Sequence, residues 1–142
     1  MSNKRLKKNA TGDCFEAAGK LMMDLSWEDG ADMRNVRLVH GEVAGQGSLK
    51  GTKFGHAWVE KTERFPELSG LTGSSHCNLE MVLDHSNGEE KEMPKAIYYW
   101  LGKISDDFGN ANTHSYTYDE FVYKTHESGN WGPWDLETET GL

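Results

Sequence analysis

The sequence predicts an α+β domain in which an N-terminal helix packs on a mostly antiparallel sheet. Three observations predict it. The chain opens with apolar residues at helical spacing, continues through three strand-like runs separated by glycine- and serine-rich connections, and closes with two shorter helical segments. Five Trp, five Tyr and five Phe among 142 residues supply enough bulk for one core, and nothing in the composition marks a second domain.

In DCFEAAGKLMMDLSW, residues Cys14, Ala18, Leu21 and Leu25 recur at i, i+4, i+7 and i+11, with Phe15 and Met22 beside them. That is one broad apolar helical face. Asp13 and Glu16 have capping-box spacing, which predicts Asp13 as the N-cap and Cys14 as the first helical residue. VRLVHGEVA (36–44) and KFGHAWVEK (53–61) read as two strands joined by the hairpin loop GQGSLKG. On the second, the period of two puts His56, Trp58 and Glu60 on one face and Gly55, Ala57 and Val59 on the other. RFPELSGLTGSS has loop composition, NLEMVLDHS (78–86) is the third strand, and SNGEEKE turns the chain. Pro94 opens a helix over PKAIYYWLGKI, with its YYW run read as packing plus one exposed ring. THSYTY is a short edge strand. Thr117 and Glu120 repeat the capping-box spacing before a last short helix, and the two tryptophans of SGNWGPWDLETETGL clamp onto the body.

A formal charge of −8 argues against nucleic acid as a partner, since phosphate binding needs a basic face. Lys4, Arg5, Lys7 and Lys8 form a basic tail over residues 1–10, ahead of a single domain over 11–142. The N-terminal segment is charged and lacks the apolar stretch of a secretory signal. No apolar run approaches the roughly 18 residues that span a bilayer. A cytoplasmic, reduced setting is therefore expected, with Cys14 and Cys77 as free thiols and no membrane partner. Six histidines and two cysteines invite a metal reading, but His76, Cys77 and His85 lack the spacing that presents ligands to one ion. Neither a metal nor another cofactor is expected. Gly45-Gln46-Gly47 is not a phosphate loop, having no Lys-Ser/Thr after it.

A cysteine at a helix start faces unpaired N–H groups that favour thiolate. A strand histidine offers a rigid imidazole to take the sulfur's proton, and a carboxylate on the neighbouring strand can hold the far ring nitrogen. Cys14, His56 and Asp84 fill these three positions as nucleophile, base and orienting acid. Taken singly, each suits a plainer structural role; their joint pattern carries the functional reading. Acyl transfer also needs donors for a developing oxyanion. The Cys14 N–H is one candidate, and a side-chain amide from Gln46 or Asn9 is the second.

GDCFEAA, FGHAWVE and VLDHSNG, in that order, resemble the motifs of the papain-like cysteine peptidase and transglutaminase-like superfamily, most closely its transglutaminase-like branch. The resemblance covers about half the chain, Thr11 to Gly88. It implies a papain-like or transglutaminase-like core with Cys14, His56 and Asp84 as the triad. The whole chain is also similar to small phage- or bacterium-encoded members. Two positions depart from the pattern: His85 stands where the family has proline, and Asp13 puts a carboxylate next to the sulfur. The resulting expectation is a thiol-dependent hydrolase of peptide or isopeptide bonds in a protein or peptide substrate, working through an acyl-enzyme thioester, with transglutaminase-type transfer as a variant. The alternative is a binding module that keeps the fold without the reaction.

Overall fold

The structure, a computed structural model, describes residues 10–44, 53–65, 77–106 and 108–137. Its first element, α1 (Ala10–Ser26), carries the predicted apolar face: Phe15, Ala18, Leu21, Met22 and Leu25 are all buried. The helix starts four residues before Cys14, so Asp13 is a helical residue and not its N-cap, and Cys14 is the fifth residue. It also takes in the last residue of the expected 1–10 tail. Gly12 costs a helix only about 1 kcal/mol, and the packed turns that follow outweigh it.

Five antiparallel strands form one sheet: β1 (Val36–Ala44), β2 (Lys53–Phe65), β3 (Cys77–Asp84), β4 (Lys91–Pro94) and β5 (Thr113–Tyr116), in the order β4-β3-β2-β1-β5. β1 and β2 flank the GQGSLKG segment with Ala44 opposite Lys53, as a hairpin requires; the segment itself lies outside the described residues. β2 runs to Phe65, two residues into the expected loop, whose remainder is likewise outside the described residues. β4 is an unpredicted strand within the expected turn and helix start. Its KEMP sequence has no strand alternation, and such short, charged, proline-ended strands are tolerated at sheet edges.

Pro94 is thus the last residue of β4 and the N-cap of α2 (Lys95–Leu101), which starts one residue later than expected. The last helix, α3 (Tyr118–Ser128), has the predicted capping box, with the Thr117 hydroxyl accepting from the Glu120 N–H and the Glu120 carboxylate accepting from the Thr117 N–H. Among the described residues no helix is long and apolar enough to cross a membrane.

Both faces of the sheet are covered. On one, α1 and Phe121 of α3 pack against Leu38, Ala57, Val59, Leu83 and Tyr116. On the other, Val39, Val43, Trp58 and Val82 pack with Ile104 and with Tyr98 and Tyr99 of α2. Each Val, Leu, Ile or Phe among them, once fully buried, contributes about 1.5–3 kcal/mol. Gly41 is where β1 must stay bare. A Cβ there would stand 2.5 Å from the Trp58 ring and 2.9 Å from Thr113, so the outer edge of the indole reaches over the strand.

The C-terminal segment clamps as predicted. Trp131 stacks on Phe121 with ring centres 6.4 Å apart, and Trp134 meets Tyr116 edge-on at 5.1 Å. Beneath this clamp His40 is completely buried, enclosed by the rings of Phe15, Tyr116 and Trp134 at 4.8, 5.1 and 4.9 Å. Neither of its ring nitrogens has a hydrogen-bond partner among the described residues. Gly132, at φ 113, lies directly against the ring, where a Cβ would be 2.5 Å from Cε1.

The sheet is split where the candidate site lies. β2 pairs with β1 over its whole first half, down to Ala44 opposite Lys53. It pairs with β3 only as far as Val59 opposite Leu83. Past Asp84 the chain leaves the sheet through a 3-10 turn, Ser86–Gly88, and α1 lies against both that turn and β2.

Candidate active site

Three elements meet at this split. α1 brings Cys14, the half of β2 without a β3 partner brings His56, and the last residue of β3 brings Asp84. The His56 Nε2 and Asp84 Oδ2 are 2.9 Å apart. The Cys14 side chain also acts on the ring, a hydrogen-bonding interaction that favours its charged form. Cys14 is buried, only 3% exposed.

Asp84 is buried yet held from every direction. Its Oδ1 accepts from the Ser86 N–H at 3.1 Å and the Ser86 hydroxyl at 2.7 Å. Its Oδ2, shared with His56, also accepts from the Tyr98 hydroxyl at 2.6 Å. Burial alone would raise this carboxyl; the hydrogen bond and charge of His56, aided by Tyr98 and Ser86, instead hold it well below the usual carboxylate range. For His56, burial disfavours the charged ring, but the hydrogen bonds to Asp84 and Cys14 outweigh it and push the imidazole up to about 9. The ring is therefore an imidazolium at neutral pH, fixed by a carboxylate and facing a sulfur.

A second carboxylate, Glu60 at the end of FGHAWVE, holds the scaffold. Glu60 Oε2 accepts from the Trp58 indole N–H at 2.9 Å and from the Tyr99 hydroxyl, and Lys95 sits 3.3 Å from Oε1. Trp58 then lies 6.1 Å from the His56 ring centre, backing it from the same face. Adjacent tyrosines of α2 thus bind one carboxylate each, Tyr98 to Asp84 and Tyr99 to Glu60.

The helix start changes one expectation. Because α1 begins at Ala10, the unpaired N–H groups of its first turn precede Cys14, whose own N–H falls inside the helical ladder. It is not the free oxyanion donor expected. The positive charge that faces the sulfur comes from the His56 ring rather than from a bare helix end. Gln46 and Asn9, the other expected donors, lie outside the described residues, as does the side chain of Cys77.

Sequence reasoning missed Tyr98 and Ser86 as partners of Asp84. Ser86 carried a usable signal, since a Ser two residues after an Asp suits a side-chain turn. Tyr98 carried none, because a helical tyrosine looks the same whether its ring packs or its hydroxyl bonds. Beside the ring, on the α2 face of the sheet, opens a cleft of about 360 Å³ that includes His56, Asp84 and Tyr98 in its walls. Among the described residues no group of His, Cys, Asp and Glu is arranged to hold a metal ion.

Comparison of the chain with protein-family models, with curated proteins and with solved structures returned no match.

Proposed function

We propose that this protein is a thiol-dependent amide hydrolase with a papain-like or transglutaminase-like catalytic centre. One observation carries the reading: a single imidazole is hydrogen-bonded to a carboxylate through Nε2 and also interacts with a cysteine side chain on α1. Cys14 is the nucleophile. With the sulfur's proton already on the His56 ring, the sulfur attacks the carbonyl carbon, and the His56 imidazolium gives that proton to the departing amine as the C–N bond breaks. Asp84 holds the ring in the tautomer and orientation that both transfers need, and stabilises its charged form. The thioester is resolved by water, giving hydrolysis, or by a second amine, giving transamidation. Substrate approaches along His56, whose side chain is 13% exposed at the cleft, because Cys14 itself is almost covered. A peptide or isopeptide bond in a protein is the substrate.

The test is thiol labelling. Iodoacetamide at pH 7, with adducts located by mass spectrometry, is expected to modify Cys14 faster than Cys77. His56→Ala is expected to slow Cys14 and leave Cys77 alone, and to lower turnover of any peptide substrate by on the order of 10²- to 10⁴-fold. Equal rates at the two cysteines in both proteins would remove the basis of the proposal.

A further inference from the structure

The cleft beside His56 lies on the α2 face of the sheet, whereas Cys14 packs with the opposite face, and Cys14 is not among the described residues that line it. His56 belongs to both places. It forms part of the cleft wall and is hydrogen-bonded to Cys14.

This placement matters for an amide. Its carbonyl carbon must reach the sulfur, while its nitrogen must reach the imidazolium that protonates it. The substituent on that nitrogen then extends past the ring, away from sulfur. We propose that the cleft holds the amine side of the scissile amide and selects an apolar side chain there. This rests on the thiol-hydrolase reading above.

The walls support that choice. Val43, Phe54, Met93 and Leu101 supply apolar surface around about 360 Å³, room for one large side chain and its flanking backbone. Among the described lining residues three are charged: the His56 imidazolium, the cation Lys91, and Asp84, which already receives hydrogen bonds from His56, Tyr98 and Ser86. A basic side chain entering here meets a like charge and no uncommitted carboxylate. Apolar surface also continues along the helix: Leu101 at the cleft is 50% exposed, and Ile97, one turn back, is 49% exposed. That continuation suits a polypeptide rather than a small free amide.

The experiment reverses the amine's departure. p-Nitrophenyl acetate transfers its acetyl group to the Cys14 sulfur with loss of p-nitrophenolate, and mass spectrometry locates the thioester. Glycinamide, leucinamide or lysinamide then competes with water: the amine nitrogen attacks the thioester carbonyl, the C–S bond breaks, and His56 takes the amine proton. By microscopic reversibility, the acceptor occupies the leaving-amine site. Leucinamide is expected to capture the acetyl group at least about tenfold better than glycinamide or lysinamide. Leu101→Asn is expected to narrow that preference. If Cys14 is acetylated but the three amides compete equally, or the preference ignores Leu101→Asn, the cleft assignment is overturned and the thiol chemistry stands. If native Cys14 takes no acetyl group, the thiol reading fails and this assignment with it.

Discussion

His40 makes the stability of the fold sensitive to acid in a way that can be worked out from its surroundings. Desolvation by the enclosing rings holds the imidazole down to about 4 against 6.5 for a free one; His114 on β5 adds to the effect, and Asp135 in the C-terminal segment weakly opposes it. A base depressed on folding binds its proton more readily in the unfolded chain. Its stabilising share is thus intact above about pH 6.5 and is lost as pH falls from 6.5 towards 4. At 1.36 kcal/mol per pH unit, roughly 1.5 units below the unfolded value, the loss is about 2 kcal/mol by pH 5. His56 shifts in the opposite direction, so wild-type stability alone does not isolate His40. His40→Leu keeps an apolar ring-sized filling and removes the titration. Urea unfolding followed by tryptophan fluorescence, at pH 7.5 and pH 5, gives the difference between the two proteins. That difference is expected to shift by about 2 kcal/mol in favour of His40→Leu on acidification. A difference that stays constant within about 0.5 kcal/mol would show that the buried ring finds a proton partner, and the reasoning fails.

Two further substitutions probe the scaffold around the triad. Tyr98→Phe removes the hydroxyl from Asp84 Oδ2, at a cost of about 2 kcal/mol as for a hydrogen bond to a charged group. With one donor fewer, Asp84 binds the imidazolium more strongly, so the His56 titration near pH 9 moves upward in an NMR experiment; a downward move refutes the shared-oxygen geometry. Gly41→Val drives a side chain into the Trp58 ring and Thr113, and is expected to destabilise by about 1–3 kcal/mol or more. Thermal unfolding checks it, and an unchanged midpoint would mean that the indole does not reach over β1.

What was legible in the sequence followed from local physics. Apolar spacing on α1, alternation on β2 and the capping box at Thr117 are each written within a dozen residues, and each gives its element. β4 was illegible because an edge strand made of Lys, Glu, Met and Pro is defined by its partner β3 and not by its own pattern. The start of α1 was misread because Asp13 and Glu16 mimic a cap whose role is decided by the residues before them. At the candidate site, the order Cys14, His56, Asp84 could be read, and the structure brings those side chains into contact; that they perform catalysis is the proposal tested above. The cage around His40 had no signal at all. It is built by a tail that returns from over ninety positions away, a distance no periodicity reports.

The departure at His85 bears on how firmly Asp84 is set. A proline after the aspartate fixes that backbone near φ −65°, whereas His85 sits at φ −105 and ψ 24. The rigidity that a ring would give has to come from elsewhere, and Ser86 provides it: its N–H and hydroxyl both close on Oδ1, forming a side-chain turn around the carboxylate. Tyr98 fixes the other oxygen from α2, across the gap that β3 leaves open by ending at Asp84. The acid is thereby oriented from its own turn and from a separate helix, with Oδ2 aimed at a ring on β2. The same early end of β3 leaves the flank of β2 free for α1, and with it for the sulfur. One interruption in strand pairing therefore makes room for both partners of His56. Closing it by extending the β2–β3 ladder would have to displace α1 before it could bury the histidine.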